Sequence, residues 1–253
     1  MIKTISLLHA RADMLHAAFV QRYEYAHVPL VNDLLGPFAG YRRDYVDPDS
    51  STTFARLGAG VAAPDFDVMT TIRHENMEAL NRLGDKLAEG DLRRRITEDE
   101  EHMFERRKTS MFLVDERRIA GPTAAAQNTR SDVIKLVLVG TMGFEEQDFD
   151  RNVAACDDAC QLLVARFAGF GLCGLVRNSI APEGVFDLRH IESHEGQVDF
   201  NLVLEIAFAR LDGCQQFVTQ ARSEGASDLA FLCPNRSSGQ IVAFLADGHG
   251  SAG

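Results

Sequence analysis

The chain restates itself. VIKLVLVG, beginning at Val133, resembles the opening MIKTISLL; ARFAGFGLCGLV resembles GPFAGYRRDYV; VDFNLVLEIAFARLDGCQQFV resembles PDFDVMTTIRHENMEALNRLG; and QIVAFLAD resembles TSMFLVDE. The matches keep their order at a nearly constant offset of about 130 residues, so the sequence reads as two copies of one unit. That repetition limits the fold more than any single motif does. Whatever one half forms, the other half must be able to form too, and the two must pack against each other.

The unit itself is legible from periodicity. Ile2 to Leu8 reads as a strand, and Asp13 offers a cap for a helix whose apolar positions Leu15, Ala18, Phe19, Tyr23, Ala26 and Leu30 follow helical spacing. Pro29 and Gly36-Pro37 punctuate its end. FAGYRRDYV is the next strand, and DPDSSTTFARLGAGVAAP is a loop by its Gly, Pro and Ser content. FDVMTTI is a strand, ENMEALNRLGDKLAEG a helix broken at Gly90, Arg93 to Arg107 a charged helical connector, and KTSMFLVDE a closing strand. The order β-α-β-β-α-β is the ferredoxin-like split βαβ, an antiparallel sheet with both helices on one face. The other face is bare. Two such repeats packed sheet to sheet cover those faces, which predicts an α+β chain forming an intrachain α/β barrel. The predicted boundaries are 1–118 for the first repeat, 119–132 for a linker of small and polar residues, and 133–247 for the second repeat.

Composition excludes several classes of function. With 253 residues, 45% hydrophobic and 25% charged, the chain can bury a sizeable core, and a net charge of -11 repels nucleic acid and anionic membrane surfaces. The opening apolar run is too short to span a membrane and lacks a signal-peptide cleavage site. The five cysteines show no CxxC pair or disulfide rhythm and read as reduced thiols of a cytoplasmic protein.

The first half resembles the EthD family of dimeric α/β-barrel proteins. The likeness rests on the opening strand, on Phe19, on the run from His27 through Val28, Pro29 and Leu30, on Gly40-Tyr41, and on DEEHMF from Asp99 to Phe104. It covers roughly residues 1 to 117. Aligned on the two FAG triplets, the place of His27 is taken in the second half by Cys156. The resemblance implies a pocket between sheet and helices for an aromatic or phenolic molecule. The wider superfamily includes cyclases, dehydratases, isomerases, decarboxylases and anthrone-type monooxygenases, with haem-binding branches, so the fold does not fix the reaction.

His27 is the leading candidate for proton transfer, because an imidazole exchanges protons near neutrality. A charged histidine that merely complements a helix C-terminus is the alternative. Tyr23 lies one turn earlier and can meet His27. Tyr41, Arg43 and Tyr45 share a strand face; Tyr41 is the preferred pocket phenol, and Arg43 and Tyr45, with Arg73, are candidate substrate contacts. His74 could reach the pocket mouth from a strand end. His102 sits in a charged run that reads as a solvated face. His190, Glu192 and His194 alternate, but their spacing matches no metal motif, and Cys156 with Cys160 reads as core. The expectation is a lyase, decarboxylase or dehydratase in type, acting without cofactor or metal on a small aromatic, phenolic or carboxylated compound. His27, Tyr23, Tyr41 and His74 would do the chemistry, and a homodimer is allowed. An isomerase or cyclase, a cofactor-free oxygenase, and a non-catalytic ligand- or haem-binding barrel are the alternatives.

Overall fold

A computed structural model describes residues 1–36, 38–47, 61–62, 64–121, 133–142, 149–180, 200–223, 232–233 and 241–251. Strand β1 is Ile2–Leu8, followed by helix α1 (His16–Arg22), a π-helical turn (Tyr23–His27) and helix α2 (Val28–Leu35). Strands β2 (Gly40–Val46), β3 (Val61–Ala62) and β4 (Val68–His74) lead to helices α3 (Met77–Ala88) and α4 (Gly90–Glu101) and then to β5 (Ser110–Ala120). The C-terminal half supplies β6 (Ile134–Met142), α5 (Phe149–Phe167), β7 (Leu172–Ser179), β8 (Leu202–Phe208), α6 (Leu211–Ser223), β9 (Leu232–Cys233) and β10 (Ile241–Ser251).

The sheet order is β10-β2-β4-β1-β5-β7-β8-β6, and β6 pairs with β10, so eight antiparallel strands close into a barrel. Read within each half, the order is second, third, first, fourth strand in both, the ferredoxin-like arrangement. The halves do more than lay bare faces together. They are hydrogen-bonded edge to edge at β5–β7 and at β2–β10, and those two seams consume the edges that each half alone would expose.

Strand alternation then sorts the side chains. Ile5, Leu7, Phe112, Val137, Val139, Val203 and Phe244 fill the barrel interior as one apolar cluster. Phe19, Tyr23, Tyr41, Tyr45 and Val68 join Phe104 in a second cluster beneath the N-terminal helices, and Leu136, Cys156, Cys160, Leu175 and Leu204 form a third beneath the C-terminal ones. At one end of the barrel the inward positions are charged: Lys3 bonds Asn178 and pairs with Glu116 and Glu205, while Lys135 pairs with Asp44 and Glu205. Lys3 and Lys135 are the third residues of the two matching segments, MIK and VIK.

The first helical region departs from its pattern in a way that matters for the site. α1 begins at His16 with Leu15 at its cap position, so Asp13 does not cap it. The helix also passes through Pro29 and ends at Leu35, with Gly36 at a positive φ of 88°. Proline has no N–H and cannot close an α-helical bond to the preceding turn. The chain absorbs it with a π-turn in which the Val28 N–H donates to the Tyr23 carbonyl. One extra residue in the turn moves the inward stripe from Ala26 and Leu30 to His27 and Val31. In α3, Asn76 caps as its residue type predicts, its side chain accepting from the Ala79 N–H. No helix among the described residues is long and apolar enough to cross a membrane.

Candidate functional site

Beneath the π-turn lies a cavity of about 100 Å³, bounded by the outward face of the N-terminal sheet, by the π-turn itself and by helices α2 to α4. Its walls include Ser6, Tyr23, His27, Tyr41, Thr70, Glu100 and Thr109, among apolar side chains such as Leu8, Val31 and Phe104. An engineered apolar cavity of about 150 Å³ takes benzene, so this somewhat smaller space is on the scale of a single aromatic ring. A haem does not fit it, because a macrocycle of four pyrroles needs several times that room.

His27 is only 5% exposed and stands edge-on to Tyr23, the ring centroids 4.9 Å apart. Its Nδ1 is 2.8 Å from Asp99 Oδ2. Burial works against the Asp99 carboxylate, yet contacts with His27 and Arg22 hold it below the usual carboxylate range, so it is ionised and can only accept. Nδ1 must then carry the proton. In the neutral ring, Nε2 is left as the lone-pair nitrogen beside the cavity. Arg22 donates to the other Asp99 oxygen at 2.9 Å and fixes the carboxylate from behind.

The Tyr23 hydroxyl is 3.1 Å from both the Tyr41 hydroxyl and Thr70 Oγ1. Burial pushes the Tyr23 phenol up to about 12 and Tyr41 well above its ordinary value, so both stay protonated across the physiological range. They form a hydrogen-bonding wall and supply no base. Glu100 adds a carboxyl to the opposite wall, where burial raises it above the ordinary range against the pull of His27 and Arg106; Arg106 Nε donates to it at 3.0 Å.

The structure thus brings His27, Tyr23 and Tyr41 to one cavity and places the other candidates elsewhere. Arg43 and Tyr45 share the Tyr41 face of β2, as alternation predicts, but both are turned to Glu24: Arg43 grips its carboxylate with Nε and Nη2 at 3.0 and 2.7 Å, and the Tyr45 hydroxyl donates at 2.8 Å. Arg73 points into the barrel and pairs with Glu116. β4 runs on through His74, which is buried beside Phe38 and 3.4 Å from Thr4, and burial lowers its pKa. His102 is exposed at the end of α4. His190, Glu192 and His194 lie outside the described residues, as do Pro37 and most of the Gly-rich loop before β4.

Asp99, Glu100, Ser6 and Thr109 were not singled out by the sequence. The acidic run DEEHMF carried the signal for the first two, but adjacent carboxylates do not reveal which one turns inward.

Strand register also relocates the counterpart of His27. Arg43 lies opposite Thr70, and Arg177 lies opposite Leu204 in the same place of the other half. Arg43 holds Glu24 from the first helix, and Arg177 holds Asp157, its Nε 2.7 Å from Oδ1. With Glu24 and Asp157 matched, His27 corresponds to Cys160 and Tyr23 to Cys156. The FAG triplets place Cys156 four residues too early because the connections to the second strand differ in length.

Residues 11–107 match the family model of the EthD domain. Two solved structures are similar over nearly the whole chain. One is a Lactobacillus acidophilus protein provisionally described as a monooxygenase, at 10% identity, covering 98% of this chain and 93% of that one with a TM-score of 0.47. The other is a mutant chlorite dismutase from Candidatus Nitrospira defluvii, at 9% identity, covering 97% and 91% with a TM-score of 0.47. A search of curated proteins finds no significant match. These findings overturn the expectation of a cofactor-independent lyase: the similar proteins are described as a monooxygenase and a chlorite dismutase, and none of the matches named is a decarboxylase or dehydratase.

Proposed function

We propose that the cavity of the N-terminal half is an active site for oxygenation of a small phenolic compound, with His27 as the base that takes the phenolic proton. One observation carries the reading: Asp99 holds the Nδ1 proton of His27 and leaves Nε2 basic on the wall of a ring-sized cavity. A phenol entering it meets the apolar flank of Val31 and Phe104 and the hydrogen-bonding wall of Tyr23 and Tyr41. Deprotonation raises the electron density of the ring and makes it easier for oxygen to oxidise. The balance closes with the substrate as its own reductant: one O₂ is consumed per phenol, one oxygen atom enters a ring carbon as the second carbonyl of a quinone, and the other leaves as water with the two hydrogens lost.

The same reading takes the chain as a tandem duplication, 1–118 and 133–247 joined by 119–132, in which the second repeat completes the barrel. The shared strand order of the halves and the paired latches at Arg43 and Arg177 support it. We place the protein in the cytoplasm, with its thiols reduced.

Oxygen uptake with a panel of simple phenols tests the proposal. Uptake in the parent protein that falls by about 10²–10⁴-fold in His27→Gln is the expected result. A folded His27→Gln protein consuming oxygen at the parent rate would sink it.

A further inference from the structure

The sheet wall of the cavity carries two further hydroxyls, on Ser6 and Thr109, with Ser6 directly opposite Thr70 in the β1–β4 pair. Thr109 is 6% exposed, lines the cavity, and its Oγ1 has no hydrogen-bond partner among the described residues. Ser6 is 8% exposed and lines the same wall. β1 and β5 are antiparallel with Ser6 opposite Met111, so Thr109 is the diagonal neighbour of Ser6, roughly 7 Å away across the sheet. Two such hydroxyls can converge on one oxygen atom set between them. A buried hydroxyl without a partner is costly, and Thr109 on a cavity wall with Ser6 as its neighbour is what a site built to hydrogen-bond a ligand looks like before the ligand arrives.

Charge decides which oxygen. Glu100 lines the cavity and Asp99 stands behind His27, whereas Arg106, the cation on this wall, is already held by Glu100. A carboxylate placed here would meet acidic groups, and Arg106 is the one Lys or Arg among the described lining residues. A neutral carbonyl oxygen accepts from both hydroxyls without that penalty.

We infer that Ser6 and Thr109 form a subsite for a neutral carbonyl oxygen, so that the preferred ligand is a phenol carrying a ketone on its ring. The inference rests on the reading of the cavity as a phenol site and narrows it. Phenol, 4-hydroxyacetophenone and 4-hydroxybenzoate, titrated into the parent protein and into Ser6→Ala/Thr109→Val, test it. In the parent the ketone should bind about tenfold more tightly than phenol, one good hydrogen bond's worth, and the benzoate more weakly than phenol. In the double variant the ketone advantage should shrink to about twofold or less while phenol binding is unchanged. Thr109→Val alone should lose part of the advantage and melt no lower than the parent, because it removes a buried unpaired group at nearly constant shape; this single variant carries the test if the double one misfolds. His27→Gln should weaken all three compounds alike and keep their ratios, which separates failure of the subsite from failure of the base. A ketone advantage that survives in the variants, a benzoate that binds best, or no binding by any of the three overturns the inference.

Discussion

Beneath their first helices the two halves of the barrel agree about one polar contact and disagree about the rest. Both set a buried arginine on the second strand, Arg43 and Arg177, to hold a carboxylate from the first helix, Glu24 and Asp157. Around that shared latch, Tyr23, His27, Tyr41 and Thr70 in the first half stand where the second half has Cys156, Cys160, Leu175 and Leu204. The first group hydrogen-bonds around a cavity; the second is part of a closed apolar core. The difference separates what the architecture needs from what the chemistry needs. Pinning the first helix to its sheet is required twice, and a proton acceptor over open space only once.

The sharpest way to break this comparison is to treat the counterparts alike. His27→Ala should lower turnover by about 10²–10⁴-fold, while Cys160→Ala leaves turnover within about twofold and costs only the stability of a small vacated volume. Steady-state rates beside urea midpoints distinguish the two, and a comparable loss of turnover in Cys160→Ala would mean that both halves take part. Next in size are the latches. Arg177→Met leaves buried Asp157 with the half-exposed Arg117 as its remaining cation and should cost about 3 kcal/mol by urea unfolding, with much of the loss recovered in Arg177→Met/Asp157→Leu. Arg43→Met should cost less, because Glu24 keeps the Tyr45 hydroxyl and is more open to water.

Alkaline stability gives a third contrast, since only the first half buries a phenol at the Tyr23 position. An unfolded chain releases that proton near 10 and the folded one near 12, so the unfolded state binds fewer protons between those values. Stability should therefore fall as pH rises across that window, by at most about 3 kcal/mol, and Tyr23→Phe should flatten the fall. The smallest effects lie at the strand pair Tyr41 and Leu175. Leu175→Tyr forces a larger, polar ring into a filled core and should cost about 1–3 kcal/mol, against about 1 kcal/mol for Tyr41→Phe. If Leu175→Tyr is neutral by thermal melting, the C-terminal core is looser than its packing implies.

How much of this could be read from the letters depends on the range of the interaction concerned. The strand-forming segments and the meeting of Tyr23 with His27 follow from periodicities of two and about four residues, which are local, and a barrel follows from the repetition of the unit, but the edge-to-edge seams that close it do not. The π-turn was hidden, although its cause, Pro29, was visible: a proline in a helical pattern says that a bond is lost, not whether the chain stops or adds a residue and goes on. Arg43 and Tyr45 were placed on the correct face but assigned to a substrate, because nothing within the strand announces that Glu24, nineteen residues earlier, already fills their hydrogen bonds. Arg73 and His74 were both assigned to the one pocket, yet adjacent strand residues point to opposite faces, and one looks into the barrel while the other is buried beside Phe38. The Asp99 partnership spans 72 positions and depended on which carboxylate of a charged helix happened to turn inward.

The seams β5–β7 and β2–β10 have a further consequence. A barrel assembled from two identical chains must carry every mutation twice, once on each side of its dyad. Here both sides belong to one polypeptide, so a substitution at position 160 leaves position 27 as it was, and either flank can lose or acquire a group without imposing it on the other.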